Sequence, residues 1–478
     1  MRPLSRQETG RLSARTVAIP DPGDLLGHIP QPDVVAWVQH GAGLAGWGEA
    51  VRVSLPAGED RFTAGEKWLR SVFDAADIDD QVGLRGSGPI AFGSFTFDAS
   101  SDESVLIVPR IVLGRDGRGQ AWLTIVGRGD DPISRGDDPP RPPRFWGDPS
   151  PQTPLGGDKS PQGAAAPQAP QAPLASQAPM APQRSASSQT SQAPLASLAG
   201  LGPLAWREGS LPGPRWEEAV AEAVAAIKAG GLRKVVLARD LFATAAEPID
   251  ARVLLRRLAA RYPDCFTFAC DGMVGATPEL LVRRAGRQVS ALVLGGTAPR
   301  GGDAAQDEAL GSELLASAKN HEEHAYAVAS IRDALGPLCD ALEVEARPGL
   351  LKFPNLQHLG TQVRGTLAGS EKPKSALALA AAVHPPAAVC GTPTSAALEL
   401  IRELEHMDRQ RYAGPVGWVD AEGNGEWGIA LRCAQLSGRT ARLFAGCGIV
   451  AGSEPADELA ETLVKFQPMR GALEDGST

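Results

Sequence analysis

Apolar residues recur with two different periods along the chain, which predicts a mixture of strands and helices. Short apolar runs bounded by turn residues predict strands, first as two strands joined at 40–43 and again between 88 and 126. Further strands are predicted between 266 and 294. Amphipathic spacing predicts helices at 65–76, 216–229, 251–262, 304–335, 375–382 and 393–405.

The stretch 411–465 has the most informative pattern. Its three apolar runs, 415–419, 427–433 and 441–445, are separated by turn residues, which predicts an antiparallel meander. A glycine-bracketed turn is predicted at 446–448. A helix is then predicted from Pro455, with Ser453 or Glu454 as its cap.

The predicted C-terminal helix places Glu458, Glu461 and Lys465 on one face, with an apolar stripe of Leu459, Leu463 and Phe466 beside it for docking on the sheet. Such a charged face is usually solvated. Here the neighbouring glycine turn and Arg432 favour a different interpretation, because exposed amides hold anions. Acids, bases and amides together suit a metal and a small polycarboxylate.

Composition excludes several classes of partner. The 478 residues carry a formal net charge of −9 and a pI near 5.4, which argues against nucleic acid or an anionic membrane surface. No apolar run approaches membrane-spanning length, and the N-terminus lacks the apolar core of a signal peptide, so we expect a cytoplasmic protein. The six cysteines form no C-x-x-C and are interpreted as buried reduced thiols, although Cys390 or Cys447 as a nucleophile is an alternative.

Composition also divides the chain into three parts. Residues 1–130 are predicted to be a β-rich part of the same globule as the C-terminal region. Residues 131–205 are rich in proline, alanine, glutamine and serine, which predicts a flexible insertion. Residues 206–472 hold the candidate chemistry.

Two residues in ordered segments are candidates for proton transfer. Lys234 opens an apolar strand, where it is either an exposed edge residue or, facing a cavity, a base. Glu279 lies between a loop and a strand, as a surface acid or a partly buried general acid. In the run 319–324, two histidines and two acids have no zinc spacing. They are either packed histidines and solvated acids or part of a metal site, which would then hold Mg²⁺ through carboxylates, with Glu323 joining Glu458 and Glu461.

These blocks occur in an order that resembles the chorismate-utilising enzymes, a family that includes isochorismate, salicylate, anthranilate and aminodeoxychorismate synthases. The resemblance is strong from Lys234 to Lys465 and weak at 43–50 and 91–98. It rests on KVVLAR, ATPELLVRR, GGTAPRG, SAKNHEEH, LQHLGT, CGTP, RYAGPVGW, IALRCA, AGCGIV and ELAETLVK.

The resemblance implies a fold and a set of roles. The fold is α+β, with large antiparallel sheets packed together and helices outside. Lys234 would activate a water molecule and Glu279 would protonate the departing hydroxyl. Mg²⁺ would be held by Glu323 and Glu461, with Glu458 nearby. Contacts to the substrate's carboxylates and ring would come from Gly296, Thr297, His358, Tyr412, Arg432, Gly446, Gly448 and Lys465.

The sequence departs from the family's usual pattern at 383–389 and 296–301, where the pocket wall is expected to change. A lysine at 234 and a glycine at 295 imply that water, rather than ammonia, is the nucleophile. We therefore expect a Mg²⁺-dependent isochorismate synthase, an isomerase that acts on chorismate.

Three alternatives stay open at this stage. Salicylate synthases share the lysine, and Tyr412 and Leu431 are compatible with them. An anthranilate or aminodeoxychorismate synthase component is the second alternative, and a non-catalytic chorismate-binding scaffold is the third. The remaining expectations are a monomer without a glutamine amidotransferase subunit, whose product feeds menaquinone, a siderophore or salicylate.

Overall fold

The structure is a computed structural model that describes residues 11–129, 201–369 and 373–474. Apart from two short 3₁₀ turns (Leu25–His28 and Gly336–Leu338), the helices of these residues are α1 Arg61–Phe73, α2 Gly213–Ala229, α3 Ala251–Arg261, α4 Ala304–Ala316, α5 Ala318–Leu335, α6 Ala376–Val383, α7 Thr394–Glu405 and α8 Pro455–Leu473.

The strands of the described residues are β1 Leu12–Ile19, β2 Val34–Gln39, β3 Ala42–Leu55, β4 Asp77–Asp80, β5 Ile90–Ser94, β6 Ser104–Arg115, β7 Ala121–Arg128, β8 Ala205–Glu208, β9 Lys234–Thr244, β10 Phe266–Cys270, β11 Met273–Thr277, β12 Leu280–Ala285, β13 Gln288–Pro299, β14 Cys339–Val344, β15 Gly349–Lys352, β16 Leu356–Leu367, β17 Gly391–Thr392, β18 Pro415–Asp420, β19 Gly425–Ile429, β20 Cys433–Ser437 and β21 Thr440–Ile449.

The strands form one hydrogen-bonded network with two arms that start from β6. One arm runs β3-β2-β10-β11-β20-β21-β9, and the other runs β5-β18-β19-β12-β13-β16. Their pairings are antiparallel, and β1 with β4 is a parallel pair at the periphery. The predicted α+β class with large antiparallel sheets is therefore confirmed.

The two arms face each other through a tightly packed, largely apolar core. The Trp37 indole of β2 lies against Gly428 of β19, and its Nε1 donates a 2.7 Å hydrogen bond to the buried Glu426. A side chain at position 428 would collide with that indole, so glycine allows the close approach. Strand β2 also pairs with β10 and β5 pairs with β18, so residues before 130 share the sheets of residues after 200.

Two predicted elements near the C-terminus were wrong in detail. The predicted strand 427–433 is interrupted, because Ala430 pairs with the Ala413–Gly414 backbone and Arg432 adopts a left-handed conformation with φ 48°. The predicted turn at 446–448 is extended, with Gly446 and Gly448 opposite Ala238 and Val236 of β9. Glycine is needed there for close approach rather than for a turn.

The predicted helix 304–335 is two helices, because Ser317 leaves the helical conformation and caps α5. Its side chain accepts a hydrogen bond from the Asn320 amide, which competes with helix continuation. At α8, Glu454 occupies the cap position, but no side chain makes the capping hydrogen bond.

The orientation of helix α8 also differs from the prediction. Leu463 is 49% exposed, whereas Glu458 is 3% exposed and Lys465 is 9% exposed. The charged face therefore points towards the sheet and part of the expected apolar stripe points outward. Burying charges in this way is costly unless they are paired, which marks the face for function rather than for stability.

Residues 1–10 and 131–200, which hold the N-terminal segment and most of the predicted insertion, lie outside the described residues. Within the described residues, no helix is long and apolar enough to span a membrane. All six cysteines are free, as predicted, although Cys339 is only partly buried.

Candidate active site

A cleft between β9, β13, β21 and helices α5 and α8 collects most of the predicted site residues. It encloses about 590 Å³, including the space at its mouth. Ten of the thirteen predicted residues line it: Glu279, Gly296, Thr297, Glu323, His358, Tyr412, Arg432, Gly446, Gly448 and Lys465. The other three, Lys234, Glu458 and Glu461, contact residues of its wall.

Lys234 lies behind the cleft wall rather than at a sheet edge. It is the first residue of β9, it is fully buried, and its Nζ lies 3.2 Å from Oε1 of Glu323. A Cβ atom at Gly448 would lie 2.9 Å from Lys234 Cε and 2.2 Å from Glu323 Oε1. The glycine therefore lets this ion pair form against β21. A buried lysine needs an anionic partner such as the Glu323 carboxylate, so this position suits an ammonium or amine group.

Glu279 lies between β11 and β12, and it is almost fully buried. Burial raises the pKa of its carboxyl to about 7, although a hydrogen bond with the Leu294 backbone and the charges of Lys234, Arg432 and Lys465 oppose this shift. A carboxyl group with this pKa carries a proton at neutral pH in a large fraction of molecules. Glu279 therefore suits a general acid, as predicted.

Two cations at the cleft are positioned to hold an anionic ligand. The strand interruption turns Arg432 into the cleft, and its side chain has no ion-pair partner among the described residues. Lys465 donates a 2.9 Å hydrogen bond to the Gly446 carbonyl and lies 2.5 Å from Glu461. An unpaired guanidinium beside a buried ammonium is suited to a carboxylate.

His358 is held as a neutral ring beside Thr297. Burial lowers its pKa to about 3, and its Nδ1 lies 3.1 Å from the Gly296 carbonyl. The ring must donate from Nδ1 to that carbonyl, which leaves Nε2 as an acceptor. The Thr297 hydroxyl lies 3.3 Å from the same nitrogen. The pair offers hydrogen bonds to a polar ligand without adding charge.

Tyr412 forms another part of the wall. Its ring stacks on Phe444 with a centroid distance of 4.9 Å, and burial raises its pKa, so the hydroxyl stays protonated.

The alternative of a cysteine nucleophile loses support, because burial raises the pKa of Cys390 to about 12 and that of Cys447 well above its ordinary value. Neither thiol is poised as a nucleophile.

The three predicted metal ligands each pair with a lysine. Glu323 meets Lys234, Glu461 meets Lys465, and Oε1 of Glu458 accepts a 3.0 Å hydrogen bond from Lys319. In the described residues, no group of three His, Cys, Asp or Glu side chains is arranged to hold a metal.

The chemistry of the carboxylates nevertheless fits Mg²⁺. Burial lowers the pKa of Lys319, but the charges of Glu458, Glu323 and Glu461 outweigh that effect and raise it, so all three carboxylates act electrostatically on one ammonium group. Mg²⁺ prefers oxygen ligands and keeps several waters, so one or two carboxylates suffice. The assignment of the three glutamates as ligands stays a prediction.

Two charged groups beside the cleft were missed by sequence reasoning. Arg409 lines the cleft, pairs with the buried Glu405 and donates to the Val236 carbonyl of β9 at 2.6 Å. Its sequence signal was the i,i+4 spacing of an acid and a base. The other is Lys319, which the sequence offered only as part of the 319–324 run. His324, which belongs to the same 319–324 run, is buried, and its ring is hydrogen-bonded to the Thr361 hydroxyl.

A family model described as "Chorismate binding enzyme" matches residues 180–474. The chain belongs to this family of chorismate-binding enzymes. The chain is 43% identical to isochorismate synthase DhbC of Bacillus subtilis over 275 residues, which cover 55% of this chain and 69% of that protein. It is also 43% identical to the salicylate biosynthesis isochorismate synthase of Pseudomonas aeruginosa, over 57% of this chain and 58% of that protein.

The fold of this chorismate-binding enzyme is likewise similar to a solved structure. The menaquinone-specific isochorismate synthase MenF of Escherichia coli matches with a TM-score of 0.71 at 23% identity, covering 98% of this chain and 95% of the other. At this identity the match shows a shared fold alone. It agrees with the two-armed antiparallel network described above.

Proposed function

We propose that this protein is an isochorismate synthase, an isomerase that adds water at C2 of chorismate and removes the C4 hydroxyl. The observation that supports the proposal is that a buried lysine adjoins the wall of the cleft in which a carboxyl group with a raised pKa lies. Lys234 pairs with Glu323 in the wall, and Glu279 lies in the cleft with a pKa of about 7. The relatives named isochorismate synthase support the same activity.

The two groups serve opposite ends of the reaction. Lys234, as the free amine, accepts a proton from the water that forms the new C2–O bond. Glu279 donates its proton to the C4 oxygen as that bond breaks, so that water leaves and the product is an isomer of chorismate. The two transfers need opposite protonation states, a neutral amine at Lys234 and a protonated carboxyl at Glu279.

The charged and polar lining of the cleft matches the substrate class. Chorismate carries two carboxylates, and the cleft offers Arg432 and Lys465 as cations. We assign substrate hydroxyl and ring contacts to His358, Thr297 and Tyr412, and close backbone approach to Gly296, Gly446 and Gly448. Mg²⁺, held by Glu323 and Glu461 with Glu458 nearby, would neutralise a substrate carboxylate when bound.

Position 295 favours water over an amine as the nucleophile. Residue 295 is a glycine, and a Cβ atom there would lie 3.0 Å from both the Cα and the Nδ1 of His324, so a longer side chain would crowd α5. An enzyme-bound amine at this place is therefore not expected, and neither is an ammonia-supplying subunit.

We infer a cytoplasmic monomer whose product feeds menaquinone, siderophore or salicylate synthesis.

Product identification tests the proposal against its nearest rival. The full chain should be incubated with chorismate and Mg²⁺, the products separated by chromatography, and pyruvate measured in the same reaction. Isochorismate without stoichiometric pyruvate is expected. Equal amounts of salicylate and pyruvate would establish a salicylate synthase instead, for which the name of the Pseudomonas relative and the cleft residues Tyr412 and Leu431 are the supporting observations. Unchanged chorismate, with binding intact, would indicate a non-catalytic binding protein.

A further inference from the structure

The three lysines that pair with the proposed metal ligands differ in how firmly they are held. The side chain of Lys234 is 1% exposed and that of Lys465 is 10% exposed, so both are enclosed by protein. The side chain of Lys319 is 39% exposed. Of these three, Lys319 alone has an open path by which its ammonium group can move from its carboxylate into solvent.

The position of Lys319 on its helix is unfavourable for a cation. It lies in the first turn of α5, which begins at Ala318, and that turn contains no acidic residue. The positive end of a helix dipole repels an ammonium group. The 3.0 Å contact with Glu458 offsets this repulsion. The ammonium group of Lys319 is therefore held by a residue of α8 rather than by α5, the helix to which it belongs.

Glu458 in turn depends on Lys319 for its compensation. It is 3% exposed, and its side-chain partners among the described residues are Lys319 and the Ser453 hydroxyl. Glu461 lies one helical turn further along α8, and its negative charge acts on Glu458. Two acids at this spacing repel each other, so a cation is required near Glu458 whenever both are ionised.

We propose that Lys319 is a positioning residue whose ammonium group competes with Mg²⁺ for Glu458. This inference rests on the metal site of the proposed function. Without metal, Lys319 balances the buried carboxylate and keeps α5 docked on α8. When the metal binds, the ammonium moves into solvent. The lysine thereby lowers the metal affinity of the site while stabilising the metal-free protein.

Substitution of Lys319 tests the competition by direct metal titration, without chorismate. Lys319→Met keeps the apolar stem but removes the charge. We expect it to melt at a lower temperature without metal and to bind Mg²⁺ about tenfold more tightly, a coupling typical of two linked ligands. Lys319→Arg should stay near the wild-type affinity. Lys352→Met is the matched control, because Lys352 pairs with Asp307 at 2.9 Å and is 35% exposed.

A second measurement uses the unmodified protein, so it does not depend on any variant folding. Lysine acetylation by a small anhydride, read by peptide mass spectrometry, should increase at Lys319 when Mg²⁺ is added and stay constant at Lys352. Equal or weaker Mg²⁺ binding by Lys319→Met, or unchanged labelling of Lys319 at saturating Mg²⁺, would overturn the inference.

The outcome is separable from that of the proposed function. If Mg²⁺ binds but Lys319 does not respond, the competition is wrong and the synthase assignment is unaffected. If Mg²⁺ does not bind the wild-type chain, both the metal site and the competition are wrong. Isochorismate formation is measured independently of either titration.

Discussion

The Nζ atom of Lys234 lies 3.2 Å from Oε1 of Glu323, so the proposed base and a proposed metal ligand form one ion pair. Strand β9 supplies the lysine and helix α5 supplies the carboxylate, and the missing side chain of Gly448 leaves the space between them. In the proposed mechanism, this contact would couple water activation to the metal site through a shared carboxylate.

Lys234→Gln should abolish isochorismate formation while chorismate binding largely remains. The substitution removes the proton acceptor, whereas Arg432 and Lys465 still hold the carboxylates. A loss of about 100-fold or more is expected for a general base. Turnover and chorismate affinity should be measured on one preparation, with the exposed Lys228→Gln as the control. Normal turnover in the Lys234 variant would remove this residue from the mechanism.

Gly448→Ala should impair turnover far more than its size suggests. Its new methyl carbon would lie 2.2 Å from Glu323 Oε1 and 2.9 Å from Lys234 Cε, so the ion pair must shift. Displacements of this size reduce the reaction rate about 100-fold in well-aligned catalytic sites. Gly452→Ala is the control, because a Cβ atom there meets nothing within 4 Å. Similar rates for the two variants would show that the alignment of the pair is unimportant.

Turnover should fall as the pH rises through about 7. Burial raises the pKa of Glu279 to about 7, and a general acid acts only in its protonated form. Because this pKa is that of the ligand-free protein, kcat/KM for chorismate should lose about tenfold per pH unit above that value. Glu279→Gln should lack this limb and retain only a small residual rate. A wild-type profile that is flat from pH 6 to pH 9 would contradict the assignment.

The same shift predicts an effect on stability. Because the folded-state pKa of Glu279 is raised above its ordinary value of 4.5, its contribution to stability is complete below about 4.5 and is lost as the pH rises through about 7. Glu279→Gln cannot ionise and should escape that loss. Between pH 5 and pH 8, the melting temperature of the wild type should fall more than that of the variant. Parallel falls would mean that Glu279 titrates normally.

Glu461→Gln should remove Mg²⁺-dependent activity, whereas Glu322→Gln should have a mild effect. Glu461 lies beside Lys465 and acts on the buried Glu458, whereas Glu322 is exposed and accepts a hydrogen bond from Tyr326. Mg²⁺ titration followed by activity should separate the two variants. If they respond alike, the carboxylates of this cleft do not hold the metal.

Most strands and helices were predictable from apolar periodicity, which reports directly on burial, whereas the fold class came from the family resemblance. The interruption at Arg432 was not predictable, because its left-handed conformation depends on pairing between Ala430 and the 413–414 backbone, which are distant from it in the pattern. Gly446 and Gly448 were misread as a turn because glycine marks both turns and close approach. Only the position of the neighbouring strand distinguishes a glycine turn from a close approach of two strands.

The residues gathered at the cleft came mainly from the family resemblance, and their spacing alone left most of them ambiguous. Helix α8 illustrates the reason. A periodic pattern predicts that charged positions face solvent, but here Glu458 and Lys465 are buried and Leu463 is exposed. Local pattern rules fail where a functional site reverses the usual preference. Lys319 was unremarkable in sequence because its partner lies 139 positions away.

Reaction with chorismate and Mg²⁺ in ¹⁸O-labelled water determines whether water is the nucleophile at C2. The expected product has the composition of chorismate and carries one ¹⁸O atom, located on C2 by fragmentation and NMR. Unlabelled product, or label retained elsewhere on the ring, would contradict water as the nucleophile and with it the roles of Lys234 and Glu279.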